Sequence, residues 1–172
     1  MRYALMSILL IGVASGLQSR GVDAAHASGP RHPRVTQDTT PRPIDSLDFV
    51  VAGIAFGADS NSVLRLLGAP ESSTEIRDGG RAWNYQDLKV LFRQLEVELS
   101  VQGFEIRGPR FMTARGLRVG DSRGRVRQLY GDAAEPDSFY VEFQDPTRAG
   151  RAIVITLDRR SVVRIYVGLL SD

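Results

Sequence analysis

Cysteine does not occur anywhere in the 172 residues of this chain. Its absence removes disulfides, thiol nucleophiles, Cys-ligated zinc and the lipid-modified cysteine of a lipoprotein. Histidine is nearly as scarce, since His26 and His32 are the two present and both precede the segment that can fold. Ser-His-Asp and Cys-His nucleophile pairs are thereby excluded from the body, as are His-based metal sites. Lys89 is the single lysine in an arginine-rich chain, a bias that points to a GC-rich genome more than to a binding requirement. Net charge is lacking too. From Leu47 onward seventeen basic side chains stand against seventeen acidic ones, so the overall charge of +2 belongs to the N-terminal segment. A neutral body has no basic footprint for nucleic acid.

What is present begins with an export signal. Met1-Arg2-Tyr3 gives a positive start, and Ala4 to Leu17 is an uncharged, largely apolar run of 14 residues. A membrane span needs about 20 apolar residues, so the run suits the core of a signal peptide. Ala25-His26-Ala27 supplies the small-x-small cleavage site, which predicts a signal peptide over 1–27, removal near Ala27, and a periplasmic or extracellular location. An uncleaved membrane anchor is the competing reading. Residues 28–46 read as a flexible linker, with Pro30, Pro33, Pro41 and Pro43 among Gly, Thr, Arg and Asp.

The body carries an internal similarity. GADSNSVLRLLG (Gly57 to Gly68) aligns without a gap on GDSRGRVRQLYG (Gly120 to Gly131). Asp59 and Ser122 are N-cap candidates, and Gly68 and Gly131 stand where a left-handed residue ends a helix. Between them Val63, Leu66 and Leu67, like Val126, Leu129 and Tyr130, give each short helix one apolar face. Asp59-Ser60-Asn61 lacks the later Gly and Glu of a calcium loop, so capping is its reading. Period-two alternation follows each helix. Arg81 to Tyr85 pairs with Ser73 to Arg77 across Asp78-Gly79-Gly80, and Leu88–Phe92 and Val97–Val101 come next. In the second half the alternating sets are Phe139/Val141/Phe143, Ile153/Ile155/Leu157 and Val163/Ile165/Val167. The pattern predicts an α+β fold of two tandem repeats, 47–108 and 109–172. Each would be a short helical segment packed on its own sheet of three to four antiparallel strands.

Gly120 to Gly131, preceded by Thr113-Ala114-Arg115-Gly116-Leu117, resembles the SmpA/OmlA (BamE) domain and the related β-lactamase-inhibitory-protein fold. Gly57 to Pro70 followed by Trp83-x-Tyr85 resembles the first repeat of that superfamily, and the likeness runs from about Ile54 to Gly168. The resemblance implies a non-enzymatic envelope or secreted protein that binds another protein through its sheets and loops. Envelope assembly and inhibition are the two roles it implies. This chain departs from both branches, having no cysteine to lipidate and none to form disulfides.

Two surfaces are candidates for binding. Tyr140, Val154 and Tyr166, beside Arg164, fall on the solvent side of the second sheet, where aromatic and arginine side chains suit an interface; ordinary cross-strand pairing is the bland alternative. Arg107, Arg110, Arg115, Arg118, Arg123, Arg125 and Arg127 form an arginine-dense stretch that could meet an anionic envelope surface, or be a solvated helix face. A further envelope or secreted protein is the expected partner. No cofactor, metal or catalytic residue is assigned. The runner-up function is a hydrolase using carboxylates among Glu96, Glu98, Glu105, Glu142 and Asp145, and the third is a structural protein whose aromatics are buried internally.

Overall fold

The computed structural model describes residues 41–95, 98–132, 138–159 and 161–170. The signal peptide, its cleavage site and the linker as far as residue 40 lie outside them, as do Glu96, Val97 and Pro136. A two-residue hairpin pair, β1 (Val50–Val51) and β2 (Ile54–Ala55), leads into α1 (Ser60–Leu67). Four strands follow: β3 (Ser72–Glu75), β4 (Arg81–Tyr85), β5 (Leu88–Leu95) and β6 (Glu98–Ile106). After α2 (Arg123–Tyr130) come β7 (Tyr140–Gln144), β8 (Arg151–Asp158) and β9 (Ser161–Leu169).

The strands do not form two sheets. β6 and β9 pair antiparallel from Gly103↔Gly168 to Ile106↔Ile165, which joins both halves into one seven-stranded sheet of order β3-β4-β5-β6-β9-β8-β7. The expected pair of repeats, each a helix on its own sheet, is therefore corrected to a continuous antiparallel sheet served by one core. Val63 of α1 and Val126 of α2 enter the same apolar cluster, together with Val90, Phe104, Ile155 and Ile165. The physical reason lies in the strand edges. Two separate sheets would leave β6 and β9 with rows of unpaired N–H and C=O groups, and pairing them removes both edges at once.

The helices end where their residues dictate. The Asp59 carboxylate accepts from the Ser62 N–H at 2.7 Å, and the Ser122 hydroxyl accepts from the Arg125 N–H at 3.2 Å. Gly68 (φ 78°, ψ −165°) and Gly131 (φ 92°, ψ −175°) end the helices at positive φ but with extended ψ, outside the left-handed helical well, and their N–H groups donate to the Leu64 and Arg127 carbonyls. Matching backbone bonds tie both helix entries to the sheet, Gly57 N–H to Val101 O at 2.8 Å and Gly120 N–H to Val162 O at 2.7 Å. The likeness between the two segments lies in these caps, helix ends and entry bonds, and not in two separate sheets. Only the innermost residues of each apolar helix face are buried: Val63 in α1, with Leu66 left 56% exposed, and Val126 and Tyr130 in α2. Ser122→Ala is expected to cost about 1 kcal/mol, read as a lower urea midpoint at unchanged slope; an unchanged midpoint would show that the cap contributes nothing.

Two bulges shift the strand alternation. In β6 the partner of Leu91 is Gly103 and that of Phe92 is Val101, so Gln102 is the extra residue. In β9 Thr156 pairs with Arg164 and Leu157 with Val162, so Val163 is the extra one and is 40% exposed while Val162 is buried. The inward set of β9 is thus Val162, Ile165 and Val167, a correction to the alternation starting at Val163.

The end of the supposed linker is built into the body. Ile44 is buried, and Asp45 caps a short 3-10 turn, Ser46–Asp48. Asp48 itself has no solvent exposure.

Candidate functional site

One face of the sheet carries the core and both helices. The register defines what stands on the other. Lys89, Glu105, Tyr166, Val154 and Glu142 form a row across five strands. Leu91, Gly103, Gly168, Ala152 and Gln144 form the next row. Val154 is 6% exposed yet does not belong to the core cluster, as expected of a side chain on this opposite face. Tyr140 pairs with Thr156, and Thr156 with Arg164, so these too share the open face.

The two glycines shape this surface. A Cβ on Gly103 would lie 2.8 Å from the Tyr166 hydroxyl, so the absent side chain is the space that the phenol end fills. The Tyr166 hydroxyl donates to the Leu169 carbonyl, which holds the phenol end beside the glycine pair. Burial pushes this phenol up to about 12. Tyr166 then forms the shared wall of two adjoining hollows of about 350 Å³ and 270 Å³, both of which also touch Leu91, Leu169 and Leu170. The smaller hollow is completed by Val154 and Tyr140, the latter 51% exposed. The larger reaches Arg93, Gln102 and the β3–β4 turn at Ile76 and Arg77. Three of the four sheet-face candidates therefore meet in one depression. Arg164 stands beside them and reaches Glu105 at 3.5 Å. Sequence reasoning missed Leu91, Arg93, Leu169 and Leu170, because strand patterning does not say that β5 and the end of β9 lie near each other.

Glu105 is the electrostatic centre of the face. Lys89 at 3.7 Å, Arg107 at 3.0 Å and Arg164 at 3.5 Å surround its carboxylate. Burial raises its pKa, and the Arg107 hydrogen bonds with the three positive charges outweigh that and hold it below the usual value. Such a carboxylate is an anchor for cations and a poor general acid. Glu105 and Glu142 are separated by three strand spacings, about 14 Å at ~4.8 Å each, beyond the ~9.5 Å limit of an inverting carboxylate pair. Glu98 opens β6 seven residues from Glu105. Asp145 is buried instead against Arg151 at 3.6 Å. Among the described residues no group of three or more His, Cys, Asp or Glu stands close enough to hold a metal.

The arginine-dense stretch is scattered. Arg115 is drawn largely out of solvent: its guanidinium meets both Asp48 oxygens at 2.7 and 2.8 Å and donates to the carbonyls of Arg42, Pro43 and Leu129. Its side chain is 8% exposed and lies 4.9 Å from the centre of the Tyr130 ring. The tight turn that places it is closed by the Thr113 N–H on the Leu117 carbonyl. Arg107 lies on the open sheet face against Glu105, and Arg118 donates to the Pro109 carbonyl. Arg123 donates to the Ser138 carbonyl. Arg110 contacts Gln86, Arg125 contacts Gln128, and Arg127 pairs with Asp132. Asp48, the residue that organises Arg115, lay at the margin of the expected linker, where a lone carboxylate gives no signal of burial.

No family model matches the chain, and no curated protein matches it. Among solved structures, an extracellular protein containing an SCP domain, from Bacillus anthracis str. Ames, is similar with a TM-score of 0.44 and 13% identity. The match covers 78% of this chain and 50% of that one, so the chain spans about half the length of that structure. A likeness at this level assigns neither fold nor activity.

Proposed function

We propose that the chain is an exported, non-enzymatic protein-binding module of the bacterial cell envelope that takes its partner on the open sheet face around Tyr140, Val154, Arg164 and Tyr166. The observation that carries the reading is the common depression lined by Tyr140, Val154 and Tyr166 from β7, β8 and β9, opposite the face occupied by the helices. A concave apolar floor with an exposed tyrosine at its rim is the arrangement in which interface anchors work. Export rests on the apolar run Ala4 to Leu17 and the Ala25-His26-Ala27 site. The SmpA/OmlA likeness of Gly120 to Gly131 points to the same compartment and transfers no partner. The absence of His and Cys from the body and the wide spacing of Glu105 and Glu142 support the non-enzymatic reading. With Arg115 engaged by Asp48, the scattered arginine stretch contributes less than the sheet face.

The test is site-specific photocrosslinking in living cells, using the full chain with a photoreactive phenylalanine at position 140 or, as control, at Leu66 on α1. A discrete adduct from position 140 that is absent from position 66 is the expected result. No adduct from position 140, or the same adducts from both, would reject the sheet face as the docking surface.

A further inference from the structure

We infer that the free edge of β7 takes an extended segment of the partner as an eighth strand, with a basic side chain of that segment opposite Glu142. This inference rests on the protein-binding reading above and adds the mode of docking. β7 closes one end of the sheet and has β8 as its one strand neighbour. The Phe139 carbonyl accepts from the Leu157 N–H at 2.8 Å, and the Asp145 N–H donates to the Arg151 carbonyl at 2.9 Å. Antiparallel pairing turns alternate residues toward the neighbour. The backbone groups of Val141 and Phe143 therefore face β8, and those of Tyr140, Glu142 and Gln144 face outward. The Ser138 hydroxyl holds the Tyr140 N–H at 3.1 Å. Among the described residues the Tyr140 carbonyl and both backbone groups of Glu142 and Gln144 have no partner. Another extended backbone is the ligand that satisfies such a row.

Side chains set this edge apart from the opposite one. β3 is exposed throughout and carries no apolar residue. At β7, Phe139 is 63% and Tyr140 51% exposed, and Phe143 on the helix-bearing face is only partly buried. An added strand would cover apolar surface on both faces, and no proline, lysine or bulge guards the edge. Glu142 is the one charged side chain of β7. Its carboxylate accepts from the Gln144 amide at 2.8 Å and forms no ion pair among the described residues. Its β8 neighbour is Val154, so an opposite charge has to come from the incoming strand. The same carboxylate disfavours a second copy of this chain. Two-fold pairing of β7 along its whole length sets Glu142 against its own counterpart. Shifting the register one way meets Pro146, which has no N–H, and the other way needs the Tyr140 N–H that Ser138 holds.

Hydrogen exchange and crosslinking together test this. In the purified chain the Glu142 and Gln144 amides should exchange at least tenfold faster than those of Val141 and Phe143, as read by NMR. Protection of Glu142 and Gln144 in the monomer would mean that the edge is already covered, and would overturn the inference. In cells, Glu142→Pro and Gln144→Pro each remove an outward N–H and no bond to β8. The adduct from position 140 should then fall at least tenfold at unchanged melting temperature, and Glu142→Lys should lower it several-fold. If a proline variant melts early, Glu142→Lys and the exchange rates carry the decision. An adduct indifferent to these substitutions, or one with the mass of two copies of this chain, rejects strand addition by a basic partner segment and leaves the sheet-face reading standing. No adduct from position 140 in the otherwise unaltered chain rejects both.

Discussion

Asp48→Ala lowers the melting temperature by about 10 °C, the expected outcome of leaving Arg115 charged and buried without its partner, at ~3–5 kcal/mol. Asp48 is fully buried and receives Arg115 through two hydrogen bonds, Arg42 through two more, and the Asp45 N–H. Arg115 in turn satisfies the carbonyls of Arg42, Pro43 and Leu129. One carboxylate thus fastens three separate segments: the entering chain, the Thr113–Leu117 turn and the end of α2. Burial raises the Asp48 pKa, but the hydrogen bonds from Arg115 and Asp45 and the two arginine charges outweigh it and leave the group below its ordinary 3.8. A carboxylate whose pKa is depressed on folding contributes stability that is fully present above 3.8 and is lost as pH falls through the folded value. Wild type and variant should accordingly converge in strong acid and differ most near neutrality. Thermal melts across that range, followed by circular dichroism, check both statements. Equal melting at pH 7 would mean that the pair contributes no net stability.

Gly168→Ala is expected to destabilise by about 2–3 kcal/mol as an overpacking change, and no single side-chain truncation should relieve it. A Cβ there would lie 2.5 Å from both the Gln102 carbonyl and the Gly103 Cα, which are backbone atoms of the neighbouring strand. Gly103→Ala presents a contrasting case. Its Cβ would strike the Tyr166 hydroxyl at 2.8 Å, the far end of a side chain that can be removed. Tyr166→Ala should therefore recover most of the loss in Gly103→Ala and little of it in Gly168→Ala. Urea denaturation of the three single and two double variants forms two double-mutant comparisons. Equal rescue of both glycine variants would show that the strand spacing at β6–β9 yields more readily than the contacts indicate. The pair also matters for the proposed docking face, because the Tyr166 ring lying over these glycines forms the wall common to both hollows.

Some features of this protein are dictated locally and could be read from its residues in order. Asp59 and Ser122 cap their helices, Gly68 and Gly131 end them, and Asp78-Gly79 turns β3 into β4, because each needs contacts within a few positions along the chain. Alternation likewise assigned Val90, Ile153 and Ile155 to the core and Tyr140, Val154, Arg164 and Tyr166 to the opposite face. Period two survives any arrangement of neighbouring strands. For the same reason it could not reveal that β6 pairs with β9, nor that Leu91 and Leu170 close one trough with Tyr140 and Tyr166. The bulges at Gln102 and Val163 were equally hidden, since each is defined by two residues opposing one on another strand. Arg115 read as one surface arginine among seven, and only the approach of Asp48, 67 positions away, made it a buried anchor. Contacts between distant segments follow from which edges and charges must be satisfied together, and that is settled only when the whole sheet closes.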